Sequence, residues 1–299
     1  MSTQYPNAVG DLFEGLWQAA HWIWDRRAIA SRMRFPFSEE TITETVLLNL
    51  KAGFPGQITV VPFNKRREGQ IGADWEWCLY DLSDSRFLRM LIQAKVIDNK
   101  ETAYSHLDRM VGNTGERQID VLARVSRTRG VPAFYVFYNH LTDRSRVDLK
   151  RCRCVQNCAE CWGATIAPLA PVLANLPSKT FDSLQPSMIP WACMLCPPSE
   201  SLFNRTRHDT IDRALAALSE LNSRATSRTF DEVEERDARV RIEENPPDYI
   251  ELISGSPDLS ELNLQSVKRL AKKNSDLDGV VLIDASSLAR PKGEDGGIE

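Results

Sequence analysis

Asp74, Gln93 and Lys95 are the residues whose types and spacing could do chemistry together. From 73 to 79 the side chains alternate, so Asp74, Glu76 and Cys78 share one face of an expected strand while Trp75, Trp77 and Leu79 share the other. A second, mostly buried strand is expected from Phe87 to Lys95, with Asp81-Leu82-Ser83-Asp84-Ser85 as the turn between them. In that hairpin Gln93 and Lys95, two residues apart, point to one face and can lie beside Asp74. A hard cation such as Mg²⁺ or Mn²⁺ takes oxygen ligands, which Asp74, the Gln93 amide and the Ala94 carbonyl offer. The Lys95 ammonium would then orient or help deprotonate a water and offset charge developing on a phosphate in an in-line attack. The chemistry implied is metal-dependent phosphodiester hydrolysis.

By itself an Asp…Gln-x-Lys spacing is weak, because strand ends often carry surface charges. The elements around it add weight. Ser38 reads as an N-cap with Glu39 and Glu40 in the first turn, opening a helix through Leu50 with Ile42, Val46 and Leu50 along one stripe. Gln57 to Phe63 is the first strand, ahead of the two just described. Gly115 to Arg129 follows as an amphipathic helix with Ile119, Leu122 and Val125 inward, and Gly130-Val131-Pro132 stops it. Ala133 to Tyr138 is wholly apolar, the signature of a strand covered on both faces.

This helix-strand-strand-strand-helix-strand order, with the acid on the second strand and x-x-Lys on the third, resembles the PD-(D/E)XK, or restriction-endonuclease-like, nuclease superfamily. Residues 38–140 carry the likeness, which is nearest to the Mrr-type branch, where Gln replaces the second acid. The resemblance implies an α/β fold with an αβββαβ core and a mixed central sheet. It makes Asp74 and Gln93 metal ligands and Lys95 the catalytic lysine, with Glu44 as the helix acid that many members add and Gln118 as a glutamine on the later helix. Ala73 stands where the name-giving proline would be, and Gln93 removes a negative charge, which leaves room for a silent, nucleic-acid-binding relative. Lys65 and Arg66, just before the acidic strand, would grip a phosphate of the nucleic acid, which the resemblance makes DNA, with defence against foreign DNA as the context. Residue by residue, Glu44 also reads as a solvated helix residue, Gln118 as a surface amide and Trp75 and Trp77 as packing on a sheet face.

Six of the seven cysteines fall in one region: Cys152, Cys154, Cys158, Cys161, Cys193 and Cys196. Paired Cys-x2-Cys knuckles present thiolates to a tetrahedral Zn²⁺, so Cys158, Cys161, Cys193 and Cys196 form one candidate quartet for structural zinc. Cys152, Cys154, Cys158 and Cys161 form a more compact alternative, and buried apolar thiols are a third reading. The zinc readings admit a zinc-scaffolded protein-interaction protein as a rival function.

A net charge of -4 argues against a generally basic nucleic-acid coat, though arginines cluster between Arg124 and Arg153. No run spans a membrane and no signal peptide is evident, so a cytoplasmic protein is expected, with a homodimer left open. The expected organisation is an N-terminal helical segment (1–37), a nuclease-like core (38–150), a Cys-rich insertion (151–200), a C-terminal helical region with one edge strand at Gly279 to Ile283 (201–290), and a disordered tail (291–299).

Overall fold

Alternating apolar residues along the strands leave two faces to be covered, and helices cover both. In the computed structural model, which describes residues 12–62, 72–111, 115–151, 158–196, 209–226, 239–250 and 279–286, the strands make one seven-stranded mixed sheet. These are β1 (Ile58–Pro62), β2 (Trp75–Asp81), β3 (Arg86–Val96), β4 (Ala133–Tyr138), β5 (Ala164–Pro168), β6 (Ile189–Pro190) and β7 (Gly279–Asp284), in spatial order β1-β7-β2-β3-β4-β5-β6. β2 runs parallel to β7 and β3 parallel to β4; the other pairs are antiparallel. The protein is therefore α/β, and the expected element order holds: α2 (Glu39–Gly53), β1, β2, β3, α3 (Gln118–Arg129), β4.

One face of the sheet presents Cys78, Leu91, Tyr135, Phe137, Val280 and Leu282 to Ile119 and Leu122 of α3, and to the helices α4 (Leu169–Ala174) and α5 (Phe181–Leu184). The other presents Trp77, Met90, Ile92, Val136, Val281 and Ile283 to α1 (Leu12–Met33), α2 and α6 (Asp209–Thr226). Each fully buried Leu, Ile or Val in these layers contributes about 1.5–3 kcal/mol. Trp75 and Trp77 lie in the second layer, as sheet-face packing requires, and the Trp77 ring lies 5.0 Å from that of Trp191.

Two termini of helices fix the frame around the site. The Ser38 hydroxyl accepts the Thr41 amide at 3.3 Å and caps α2, holding Glu39 and Glu40 in its first turn. Gly130 adopts a left-handed φ of 64° and ends α3, so that the chain turns directly into β4.

Several expectations need correction. The C-terminal strand is not at the sheet edge: β7 is inserted between β1 and β2, pairing with both. Its apolar side chains alternate between both cores, and a strand so buried gains most where its backbone is bonded on both sides. Residues 151–200 add β5 and β6 to the same sheet, next to β4. α3 begins at Gln118 and β2 at Trp75, each later than expected. Residues 239–250 reach the sheet: Glu243 pairs with Phe87 through the backbone, and Tyr249 is buried. Much of the expected C-terminal helical region, the tail, Lys65, Arg66, Cys152 and Cys154 lie outside the described residues.

Candidate functional site

Gly72 determines where Asp74 sits. Its φ is +76°, and a Cβ there would stand 2.4 Å from the Gln118 carbonyl oxygen and 2.9 Å from the Leu122 amide nitrogen. Only a glycine lets this chain turn flat against the first turn of α3. Asp74 follows just outside β2, its amide donating to the Ile92 carbonyl at 2.8 Å, so its side chain comes opposite Gln93 on the same face.

The Asp74 carboxylate is then held by two donors. Gln93 Nε2 donates to Asp74 Oδ2 at 2.8 Å, and the Ala94 amide donates to the same oxygen at 2.9 Å. Gln93 is fully buried, and because its Nε2 faces Asp74, its Oε1 is left buried without a hydrogen-bond partner. A buried amide oxygen normally finds a donor, which sets this atom apart from most buried amide oxygens. Lys95, 3 % exposed, donates from Nζ to Glu39 Oε1 at 3.2 Å and lies within electrostatic reach of Asp74.

Parallel pairing of β3 and β4 sets Tyr135 beside Gln93. The Tyr135 hydroxyl is a second buried polar atom without a partner, and it feels the charges of Asp74, Glu39 and Asp120. Gln118 Oε1 is a third. Tyr138 points to the opposite layer, where its hydroxyl shares a 2.8 Å hydrogen bond with Thr43 and so ties α2 to β4.

Burial is the main influence on the acids here and raises the pKa of both Asp74 and Glu39, against the pull of Lys95. For Asp74 the Ala94 amide and Gln93 also resist the rise, while Glu40 assists it. Burial likewise pushes the Tyr135 phenol well above its ordinary value. A site whose acids are pushed towards neutrality, with a single buried cation among them, favours a further positive charge.

Of the residues expected from sequence, Asp74, Gln93 and Lys95 come together, while for Gln118 the contact with this region is its backbone carbonyl beside Gly72. Glu44 does not join them. It is exposed, and Glu39 takes the place beside Lys95, because five residues along a helix rotate a side chain well away from the same face. The visible signal for Glu39 was its position directly after the Ser38 cap, and for Tyr135 the two-residue period of the fourth strand. Asp120 is bound by Arg117 in a two-pronged ion pair. Much of the arginine cluster is engaged in ion pairs as well: Arg124 with Glu116, Arg144 with Glu160, Arg146 with Asp182 and Arg151 with Asp148.

Among the described residues the cysteines do not gather as the quartet Cys158, Cys161, Cys193 and Cys196. Cys158 and Cys161 gather with His21 of α1, whereas Cys193 and Cys196 stand outside that group. The sheet explains the separation, since Cys161 belongs to the core on one face and Cys193 packs against the core on the other.

Fold and site together define an α/β protein with a polar corner of carboxylate, amide and ammonium groups at one end of β2 and β3. The chain belongs to a family of unknown function, DUF6615, whose model matches residues 12–289. No curated protein and no solved structure matches it. Among the described residues no helix is long and apolar enough to cross a membrane.

Proposed function

We propose that this protein is a metal-dependent nuclease hydrolysing phosphodiester bonds, with DNA as the substrate class, built on a restriction-endonuclease-like core. The observation that carries this reading is the buried, unpartnered Gln93 Oε1 beside an Asp74 carboxylate whose other neighbours are an amide and a lysine.

The donor set fits a hard divalent cation: Asp74, Gln93 Oε1 and, after exchange of its lysine partner, Glu39 are all oxygen ligands. Mg²⁺ or Mn²⁺ bound there would supply Lewis-acid polarisation of a phosphate oxygen. The protein's own contribution is positional and electrostatic. The Ala94 amide and Gln93 Nε2 hold one Asp74 oxygen, leaving Oδ1 to turn towards the substrate. Lys95, fixed by β3 and Glu39, holds an ammonium where negative charge develops during attack, in surroundings that strengthen its effect. Gln93 gives the site one carboxylate fewer than its two-acid relatives, and this favours a second reading, a silent module that binds nucleic acid without cutting it.

Purified wild type and Lys95→Ala incubated with plasmid DNA and Mg²⁺ or Mn²⁺ separate the two. The expected outcome is nicking or linearisation by the wild type and a loss of about 10²–10³-fold in the variant, the scale for removing one preorganised charge stabiliser. Salt-sensitive DNA binding that ignores divalent metal, with no cleavage by either protein, would leave the silent module standing.

A further inference from the structure

We propose that His21, Cys158 and Cys161 form a zinc site that bolts α1 to the turn leading into β5. It is a site apart from the Asp74 corner and does not depend on the nuclease reading. Cys158 precedes a short 3-10 turn (Ala159–Gly163) and Cys161 lies within it, where the Cys161 amide donates to the Cys158 carbonyl at 3.3 Å and the two thiols come side by side. Their sulfurs are 2.9 Å apart and unbonded. His21 Nε2 lies 3.2 Å from Cys158 Sγ and 3.8 Å from Cys161 Sγ. Around a tetrahedral zinc with Zn–S of about 2.3 Å and Zn–N of about 2.0–2.1 Å, a sulfur and a nitrogen ligand stand about 3.6 Å apart, which the two observed distances bracket, while two sulfurs stand about 3.8 Å apart, so the thiols would spread by about 0.9 Å to take the ion and its fourth position would fall to a further ligand. A simple thiol pair would not need a ring nitrogen aimed at both sulfurs.

The backbone brings the histidine there. A Cβ on Gly163 would lie 1.9 Å from the Ala20 carbonyl oxygen and 2.9 Å from the Trp24 amide nitrogen, so α1 rests directly on the end of the turn, next to His21. Trp17, one helical turn before His21, lies with its ring centroid 3.8 Å from the imidazole and limits its rotation. Two thiolates and an imidazole are soft to borderline donors, a set that selects Zn²⁺ over the Mg²⁺ suited to the oxygen ligands around Asp74. Metal held by ligands from α1 and from the start of β5 would join segments far apart in sequence, which stabilises the folded chain over the unfolded one.

The test is elemental analysis of the full chain purified from zinc-supplemented culture, followed by Co²⁺ replacement and absorption spectroscopy. Wild type is expected to retain about one zinc per chain and, with cobalt, to show thiolate-to-metal charge transfer and the visible bands of a tetrahedral ion. Cys158→Ser and Cys161→Ser should each lose the metal, and His21→Ala should lose most of it, while Cys193→Ser keeps it. If His21→Ala fails to fold, His21→Cys decides: it should keep the ion and strengthen the charge-transfer band through a third thiolate. Metal-free wild type, zinc unaffected by Cys158→Ser and His21→Ala, or a Cys158–Cys161 disulfide found by mass spectrometry of the unreduced protein would each overturn the assignment.

Discussion

Asp74 and Glu76 stand two residues apart on the same face of the sheet, yet their surroundings differ in kind. Glu76 is fully buried, with Oε1 accepting from Arg89 Nε at 2.7 Å and from the Tyr249 hydroxyl at 2.5 Å, while Oε2 makes no hydrogen bond and has Arg129 Nη1 4.0 Å away as its ion-pair partner. Arg89 is in turn shared with Glu243 at 3.2 Å. Asp74 is only part-buried, and what touches it directly is an amide side chain and a backbone amide, with the lysine engaged by Glu39. Glu76 is held within the fold by arginines, whereas the groups around Asp74 are amides and a lysine. Residue type and burial alone would have ranked Glu76 first; the cation that closes it removes it from contention.

Breaking the structural half should have the largest effect. Glu76→Ala leaves Arg89 and Arg129 facing an uncompensated buried site and should cost about 3–5 kcal/mol, read as a lower urea midpoint with unchanged slope. A Glu76→Ala protein that lost cleavage while keeping its stability would reverse the comparison. Next in size, Gly72→Ala forces a left-handed φ on a residue with a Cβ and drives that Cβ towards the Gln118 carbonyl. It should cost at least about 2 kcal/mol, and because it shifts Asp74 it should also lower cleavage.

The functional half behaves in the opposite sense. Asp74→Asn keeps an oxygen for both donors but removes a charge that burial disfavours, so without divalent metal the variant should be more stable at neutral pH, read as a higher Tm, while losing cleavage. With both pKa values raised, the folded protein binds more protons than the unfolded chain from the ordinary carboxylate range, near about pH 4, up to the raised values. The contribution of Asp74 and Glu39 is therefore present below that window and is lost as pH rises through it. The difference between wild type and Asp74→Asn should grow with pH there; a flat difference would remove the burial argument. The smallest effect is expected from Glu44→Gln, which should leave cleavage unchanged, whereas Glu39→Gln should alter both activity and its metal dependence. Equal effects from the two would restore Glu44 to the site.

Much of the frame was legible because it rests on local periodicity. The alternation from 73 to 79 told which residues share a face, the Ser38 cap marked the start of α2, and the unbroken apolar run at 133–138 marked a covered strand. Asp74, Gln93 and Lys95 could be grouped from a hairpin alone, since cross-strand neighbours follow from turn and register. The charged stretch before Tyr249 carries no periodic signal, and its place came only with the fold, where Glu243 satisfies Arg89 and pairs with Phe87.

The amino-acid sequence by itself determined the α/β class, the two-faced strands and the acid-amide-lysine set, all of which depend on neighbours within a few residues or across one turn. Only the tertiary structure decided that β7 enters between β1 and β2, that Glu39 and not Glu44 meets Lys95, that arginines close over Glu76, and that His21 reaches Cys158 and Cys161. Those choices join residues distant along the chain, and a repeating pattern records which face a side chain takes without recording which remote element will come to cover it.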